Sequence, residues 1–277
     1  MSDSDRAILR RLVARDLPEA LRLSEHAGWN QTIEDWRMLL ELAPESCLAI
    51  EVDGELAATT TLVSYGSRLA WIGMVLTKAS FRGHGFARRL LTQALALADE
   101  MQIETVKLDA TDQGRPIYEK MGFRCEQVVE RWSLPQFGTT SGSTPSIEAP
   151  AERWREVDHR AFGVDRFQLL EKLALRSSAS MFKADSYLLA RSGRQTRYLG
   201  PSVCDTPEAA RTLFEQALRT ADIEGWSWDM LPANASAAGI ARELGFAPAR
   251  HLQRMVRGKD LRGDESMIYA IAGFELG

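Results

Sequence analysis

Two short pairs, Gly122-Phe123 and Gly245-Phe246, lie 123 positions apart. Applied without gaps, that offset carries Ala87, Arg88, Leu90, Gln93, Ala94 and Leu95 onto Ala210, Arg211, Leu213, Gln216, Ala217 and Leu218. It also carries Leu108 and Ala110 onto Leu231 and Ala233, and Arg131 onto Arg254. One register that links a helix, a strand and a closing helix signals an internal repeat. The 277-residue chain, long enough for one large or two ordinary domains, therefore reads as two copies of one fold. The expected division is residues 1–134, a linker over 135–148, and residues 149–277. The stretch from Pro135 to Pro145 is uncharged and rich in turn formers, as a linker should be.

The first copy contains a strand–turn–helix with chemical potential. Trp71 to Thr77 is an apolar run that reads as a buried strand, and the turn Ser80-Phe81-Arg82-Gly83-His84-Gly85 follows. From Phe86 to about Met101, apolar residues recur at helical spacing: Phe86, Leu90, Leu91, Ala94, Leu95, Ala98. A helix opening off a turn leaves its first N–H groups without partners at the positive end of its dipole, which suits an anion. Gly83 and Gly85 let a phosphate approach the backbone, and Arg82 and Arg88 add positive charge. The turn is neither the dinucleotide fingerprint nor a Walker loop, because the third glycine and the Gly-Lys-Ser/Thr are both missing.

The remaining elements follow in order. Ile8 to Val13 reads as a strand. Asp16-Leu17-Pro18-Glu19 reads as a capping box that opens a helix to about Ala27, and Thr32 starts another. Asp53-Gly54 marks a tight hairpin, and Glu104 to Ala110 a further strand. Pro116 and Gly122 bound a short helix, and Cys125 to Ser133 closes the sheet. In the second copy, strands flank Ser192-Gly193, Thr206 with Glu208 opens a helix to about Thr220, and Met267 to Leu276 reads as a final strand.

Composition narrows the partners. A net charge of −4 with no basic block argues against nucleic acid, and no apolar run reaches the length of a membrane span. Cys47, Cys125 and Cys204 fit no metal pattern and no disulfide framework. The start, Met1-Ser2-Asp3-Ser4-Asp5-Arg6, leads into no signal-peptide core. The expectations are a cytoplasmic protein with no metal.

The stretch Arg82-Gly83-His84-Gly85-Phe86-Ala87 has the form Arg-x-x-Gly-x-Ala. It resembles the acetyl-CoA pyrophosphate loop of the GNAT acyltransferase superfamily. Downstream, Tyr118-Glu119-Lys120-Met121-Gly122-Phe123 resembles that superfamily's closing helix, and the likeness covers about residues 8 to 132. It implies an α/β (α+β) fold: two tandem GNAT-like domains, each with a mixed, mostly antiparallel sheet flanked by helices. It implies acetyl-CoA as co-substrate and a small-molecule or peptide amine as acceptor, in a monomer or homodimer. The backbone of Val75, Leu76 and Thr77 would hold the pantetheine arm. Arg82, Gly83, His84, Gly85, Phe86, Ala87 and Arg88 would hold the pyrophosphate. Thr111, standing where the family has asparagine, would contact the cofactor, and Gly114 replaces the family's alanine. Tyr118 would protonate the leaving thiolate, as a phenol with a pKa near that of the thiol can; a packing role is the alternative. Trp29 and Asn30 border the acceptor cleft in such folds, although Trp29 also suits a core or cap position. Glu51 and Asp109 are candidates for a general base, against the plainer reading of solvated carboxylates.

In the second copy Arg82, Gly83, Gly85 and Tyr118 become Asp205, Thr206, Glu208 and Ala241, and Pro207 replaces His84. Carboxylates there repel a pyrophosphate, so this copy is expected to keep the fold and lack the cofactor site. It would then help form the acceptor pocket, or serve as scaffold. The leading reading is an N-acetyltransferase, with a CoA-binding sensor as the alternative.

Overall fold

The computed structural model describes residues 6–135, 152–183, 185–219 and 225–277. Apart from Pro135, the expected linker lies outside the described residues. The chain divides into two compact units. The first comprises Met1–Leu108, Arg257–Lys259 and Leu276; the second comprises Asp109–Val256, Asp260–Glu275 and Gly277.

In the first unit, strands β1 (Ala7–Arg11), β2 (Cys47–Val52), β3 (Glu55–Tyr65), β4 (Leu69–Thr77) and β5 (Thr105–Ala110, of which Thr105–Leu108 belong here) lie side by side in that order. All neighbours are antiparallel except β4 and β5. Asp53 and Gly54, at φ 51° and 84°, make the tight hairpin between β2 and β3 that the sequence calls for. Helices α1 (Leu17–His26), α2 (Ile33–Leu42) and α3 (Phe86–Glu100) pack on β2, β3 and β4. The buried face of α3 is Phe86, Leu90, Leu91, Ala94, Leu95 and Ala98, and each large side chain there stabilises the fold by about 1.5–3 kcal/mol. Thr32 caps α2 in a reciprocal box with Asp35. The box expected at Asp16 does not form. Asp16 instead accepts from the Val13 N–H (2.9 Å) and from Arg10 Nη2 (2.9 Å), so its carboxylate is spent on the preceding turn.

The second unit holds α4 (Arg115–Glu119), β6 (Arg124–Leu134), α5 (Glu152–Phe162), α6 (Phe167–Arg176), β7 (Ser177–Lys183), β8 (Ser186–Arg191) and β9 (Arg197–Val203). Then come α7 (Pro207–Leu218), β10 (Trp226–Met230), α8 (Ala235–Glu243), β11 (Ala247–Gly258) and β12 (Ile268–Ala270). The strand order is β11-β6-β10-β9-β8-β7, with β12 paired to β9, and β9–β10 is the parallel pair. Its core stacks Phe214 on Trp228 at 3.8 Å, with Phe246 edge-on at 5.5 Å.

The repeat is visible in this unit. β6 and β11 run antiparallel with Val129 opposite Leu252, residues that the 123-position offset maps onto each other. The same offset maps the Arg131–Arg250 pairing onto Arg254–Gln127, so a local pseudo-twofold passes through this ladder. β6, from the first copy, is hydrogen-bonded on both edges by second-copy strands. Two bidentate pairs cross between the copies in the same sense, Arg131 with Asp229 and Arg254 with Asp109; the arginines are 123 positions apart and the aspartates 120.

Two sequence expectations change. Leu231 and Ala233 lie past the end of β10, and Ala233 is exposed, so the gapless alignment fails in this strand. Leu231-Pro232-Ala233 separate β10 from the capping Asn234, whereas β5 runs straight into Thr111. The final strand is confined to Ile268–Ala270, although the residues after it remain largely buried.

Candidate active site

β4 is built to part from β5. The two pair only through Leu69–Trp71 and Thr105–Lys107. Just beyond, β4 takes on an extra residue: Thr59 and Thr61 face Leu76 and Gly73, so Thr60 alone opposes Met74 and Val75. Met74 sits at φ 51°, in the left-handed region that a non-glycine residue seldom adopts. Two threonines fix this bulge. Thr59 Oγ1 donates to the Met74 carbonyl at 2.8 Å, and Thr60 Oγ1 to that of Gly73 at 3.3 Å. Among the described residues no strand pairs with Ile72–Thr77 on the β5 side. Val75 and Thr77 are half-buried there and Leu76 is buried.

The turn after β4 ends in a bare helix start. Gly83 and Gly85 hold φ of 84° and 76°, and Gly85 is the N-cap of α3 with no side-chain cap bond. A Cβ built on either glycine meets nothing within 4 Å, so the space over the turn is open. Arg82, His84 and Arg88 are exposed around it, Phe86 is buried beneath, and Ala87 is half-buried. Arg82 Nε lies 3.5 Å from the Thr77 carbonyl, which ties the turn to the strand. This is a cradle of N–H groups that suits a pyrophosphate. Trp29, half-buried, and Asn30, buried, lie in the same unit between α1 and α2, and α1 packs on β4.

Thr111, Gly114 and Tyr118 come together in the second unit. Thr111 Oγ1 accepts from the Gly114 N–H at 3.1 Å, so the hydroxyl caps the turn that opens α4. A Cβ on Gly114 would stand 3.2 Å from the Tyr118 ring, which accounts for glycine at this position. Tyr118 is buried with its ring edge-on to Phe123, at 6.1 Å between centroids. Burial pushes its phenol up to about 12, away from the thiol range expected from the sequence.

Two family models match. One, the Acetyltransferase (GNAT) family, spans residues 10–123, and the other, an Acetyltransferase (GNAT) domain, spans 154–270. The chain belongs to the GNAT acetyltransferase family. It is 30% identical over 161 residues to the uncharacterized N-acetyltransferase YitH of Bacillus subtilis, covering 55% of each chain, so it matches about half the length of that relative. It is 24% identical over 261 residues to the holothin acyltransferase of a Pseudoalteromonas species, covering 90% of this chain and 87% of the relative. A putative acetyltransferase of Pyrococcus horikoshii shares its fold at a TM-score of 0.86 and 21% identity, covering 98% and 96% of the two chains.

The second GNAT repeat treats the corresponding places differently. Its helix α7 keeps the buried register of α3: Ala209, Leu213, Phe214, Ala217 and Leu218 fall on Phe86, Leu90, Leu91, Ala94 and Leu95. It starts earlier, however. Thr206, at the place of Gly83, is the N-cap, and its Oγ1 accepts the Ala209 N–H at 3.1 Å. Pro207 and Glu208, at the places of His84 and Gly85, already belong to the helix. Arg211, at the place of Arg88, is ion-paired with Glu243.

The parting of β9 and β10 is also taken. These strands pair only through Arg197–Leu199 and Trp226–Trp228, and β12 then pairs with β9 at Ser202 and Val203. The Ile271 N–H donates to the Asp229 carbonyl of β10 (2.9 Å), and Trp228 Nε1 to that of Tyr269 (2.7 Å). Gly200, at φ 145°, lets this segment sit close: a Cβ there would lie 2.2 Å from the Ile271 carbonyl oxygen.

Neither base candidate is a solvated carboxylate. Glu51 is ion-paired with Arg10, which also holds Asp16. Asp109 accepts both Arg254 contacts, at 2.9 and 3.0 Å. Burial holds its carboxyl above the usual range, with Arg254 pulling against it. Both are parts of the frame. Signals for the β4 bulge, the threonines and the Arg–Asp pairs were present only as residue types, without the register that joins them. Among the described residues no helix is long and apolar enough to cross a membrane.

Proposed function

We propose that the chain transfers an acetyl group from acetyl-CoA to an amine, and that the first GNAT repeat carries the reaction. The observation that supports this reading most is the contrast between two helix starts in one chain. Gly83–Gly85 leaves the first N–H groups of α3 open to a pyrophosphate, while Thr206 caps those of α7. The family uses acetyl-CoA and acts on amine acceptors. The edge of β4 beyond Trp71 would hydrogen-bond the pantetheine arm, and Gly83–Arg88 the pyrophosphate, with Arg82 and Arg88 adding charge.

In the transfer the amine nitrogen forms a bond to the thioester carbonyl carbon, and the C–S bond breaks. The amine loses a proton and the departing thiolate gains one. Tyr118 is the group assigned to supply the latter. With its phenol near 12 it is fully protonated at neutral pH, which is the form a donor needs. Trp29 and Asn30 are assigned to the acceptor side, and a share for the second repeat in handling the acceptor belongs to the same proposal. A CoA sensor is the competing reading, and retention of Tyr118 favours the enzyme. The deciding experiment measures CoA release with acetyl-CoA and a panel of polyamines, aminoglycosides and lysine peptides. Amine-dependent release that disappears in Gly85→Asp supports catalysis in the first repeat. Tight binding with no release for any amine supports the sensor.

A further inference from the structure

The pseudo-twofold ladder holds one arginine without an ion pair among the described residues. Arg250 of β11 stands directly opposite Arg131 of β6. Like charges facing each other across a ladder destabilise a sheet. Arg131 is compensated, its Nε and Nη2 donating to Asp229 Oδ1 and Oδ2 at 2.7 and 2.6 Å. Arg250 is half-buried and has no ion pair among the described residues. Burial and the charge of Arg131 work against its protonated form, and Asp229 and Tyr198 offset this only in part. The Phe274 ring lies beside both guanidiniums, 4.8 Å from Arg131 Cζ and 5.9 Å from Arg250 Cζ. The symmetry mate of Arg250 is Gln127, a neutral residue hydrogen-bonded to Glu265, so the fold itself does not require a cation here.

We propose that Arg250 and Phe274 form a binding site for a monoanionic carboxylate carried on an apolar or aromatic body. The guanidinium fork matches a carboxylate in the plane, and the ring offers an apolar wall. One guanidinium without an ion pair calls for one negative charge. A phosphate dianion would exceed it and would face Asp229. The site is built from β6, β10, β11 and Phe274, and does not depend on the transfer reaction.

Benzoate is the probe, titrated calorimetrically into the full chain at low salt, with benzamide and inorganic phosphate as controls. Benzoate should saturate one site per chain, with both controls at least tenfold weaker. Arg250→Met should weaken benzoate at least tenfold. In the absence of benzoate it should also raise Tm by about 1–3 °C, because a like-charge contact is removed. Arg250→Lys, which keeps the charge and loses the fork, should fall between wild type and Arg250→Met. Failure of benzoate to saturate, unchanged affinity in Arg250→Met, or phosphate binding as tightly as benzoate would each overturn the assignment. A fall in Tm in Arg250→Met would make the residue a structural one and overturn it equally.

Discussion

The helices α3 and α7 bury the same positions of one repeat and differ in their first turns. In α3 two glycines at positive φ hold the chain in a turn, and the helix starts bare at Phe86. In α7 the equivalent residues form an ordinary capped start with threonine, proline and glutamate. The clefts differ in the same sense: among the described residues β4 is unpaired beyond Trp71 on the β5 side, whereas β12 pairs with β9 where β10 leaves it. The comparison teaches that the packing of a fold and its binding chemistry reside in separable residues. Apolar spacing preserves the first, while a few caps and one short strand decide the second.

The largest effect should come from Gly85→Asp. An aspartate there sets strained backbone and negative charge against the pyrophosphate, and acetyl-CoA affinity should drop by at least about 100-fold in calorimetry. The reverse change, Thr206→Gly with Glu208→Gly, should create no second site, because β12 still fills the cleft. A gain of binding in that variant would break the comparison.

Tyr118→Phe comes next. Turnover should fall roughly tenfold to a thousandfold, with little change in the KM for acetyl-CoA. The donor form of Tyr118 persists until the pH approaches about 12, so its ionisation should produce no alkaline decline in rate below pH 10. The deficit of the variant should narrow at high pH, where an unprotonated thiolate leaves more readily. Unchanged turnover would reduce Tyr118 to packing.

Two smaller effects sharpen the symmetry. Asp109→Ala and Asp229→Ala each strand a buried arginine and should cost about 3–5 kcal/mol in urea denaturation. If Asp109→Ala keeps full stability and loses only turnover, the base role returns. Asn234→Ala should cost more than Thr111→Ala, by about 1 kcal/mol. Asn234 caps Ala237 and also donates to the Ser266 and Ile268 carbonyls, while Thr111 makes the cap alone. Equal losses would show that the extra bonds to the C-terminal segment contribute nothing.

Much of this contrast could be read from local pattern. The helix register of the repeat, the cap at Thr206 and the glycine turn are all properties of a few adjacent residues, and each was legible. The missed features depend on distant partners. Asp16 has the spacing of a capping box, but Arg10 and the Val13 N–H hold it elsewhere. The alignment of Leu108 with Leu231 fails because the connection after β10 is longer, which apolar spacing does not record. Met267 to Leu276 is apolar whether it ends a sheet or fills a cleft, and only the register with Ser202 and Val203 distinguishes them. Gln127 and Arg250 look equally like surface positions until β6 and β11 are paired.

The most direct test of the account is the number of acetyl-CoA molecules bound by the intact chain. Calorimetric titration should give a stoichiometry of one, and Gly85→Asp should reduce it to none. Two equivalent sites per chain, or one site that survives Gly85→Asp, would contradict the assignment of binding to the first repeat alone.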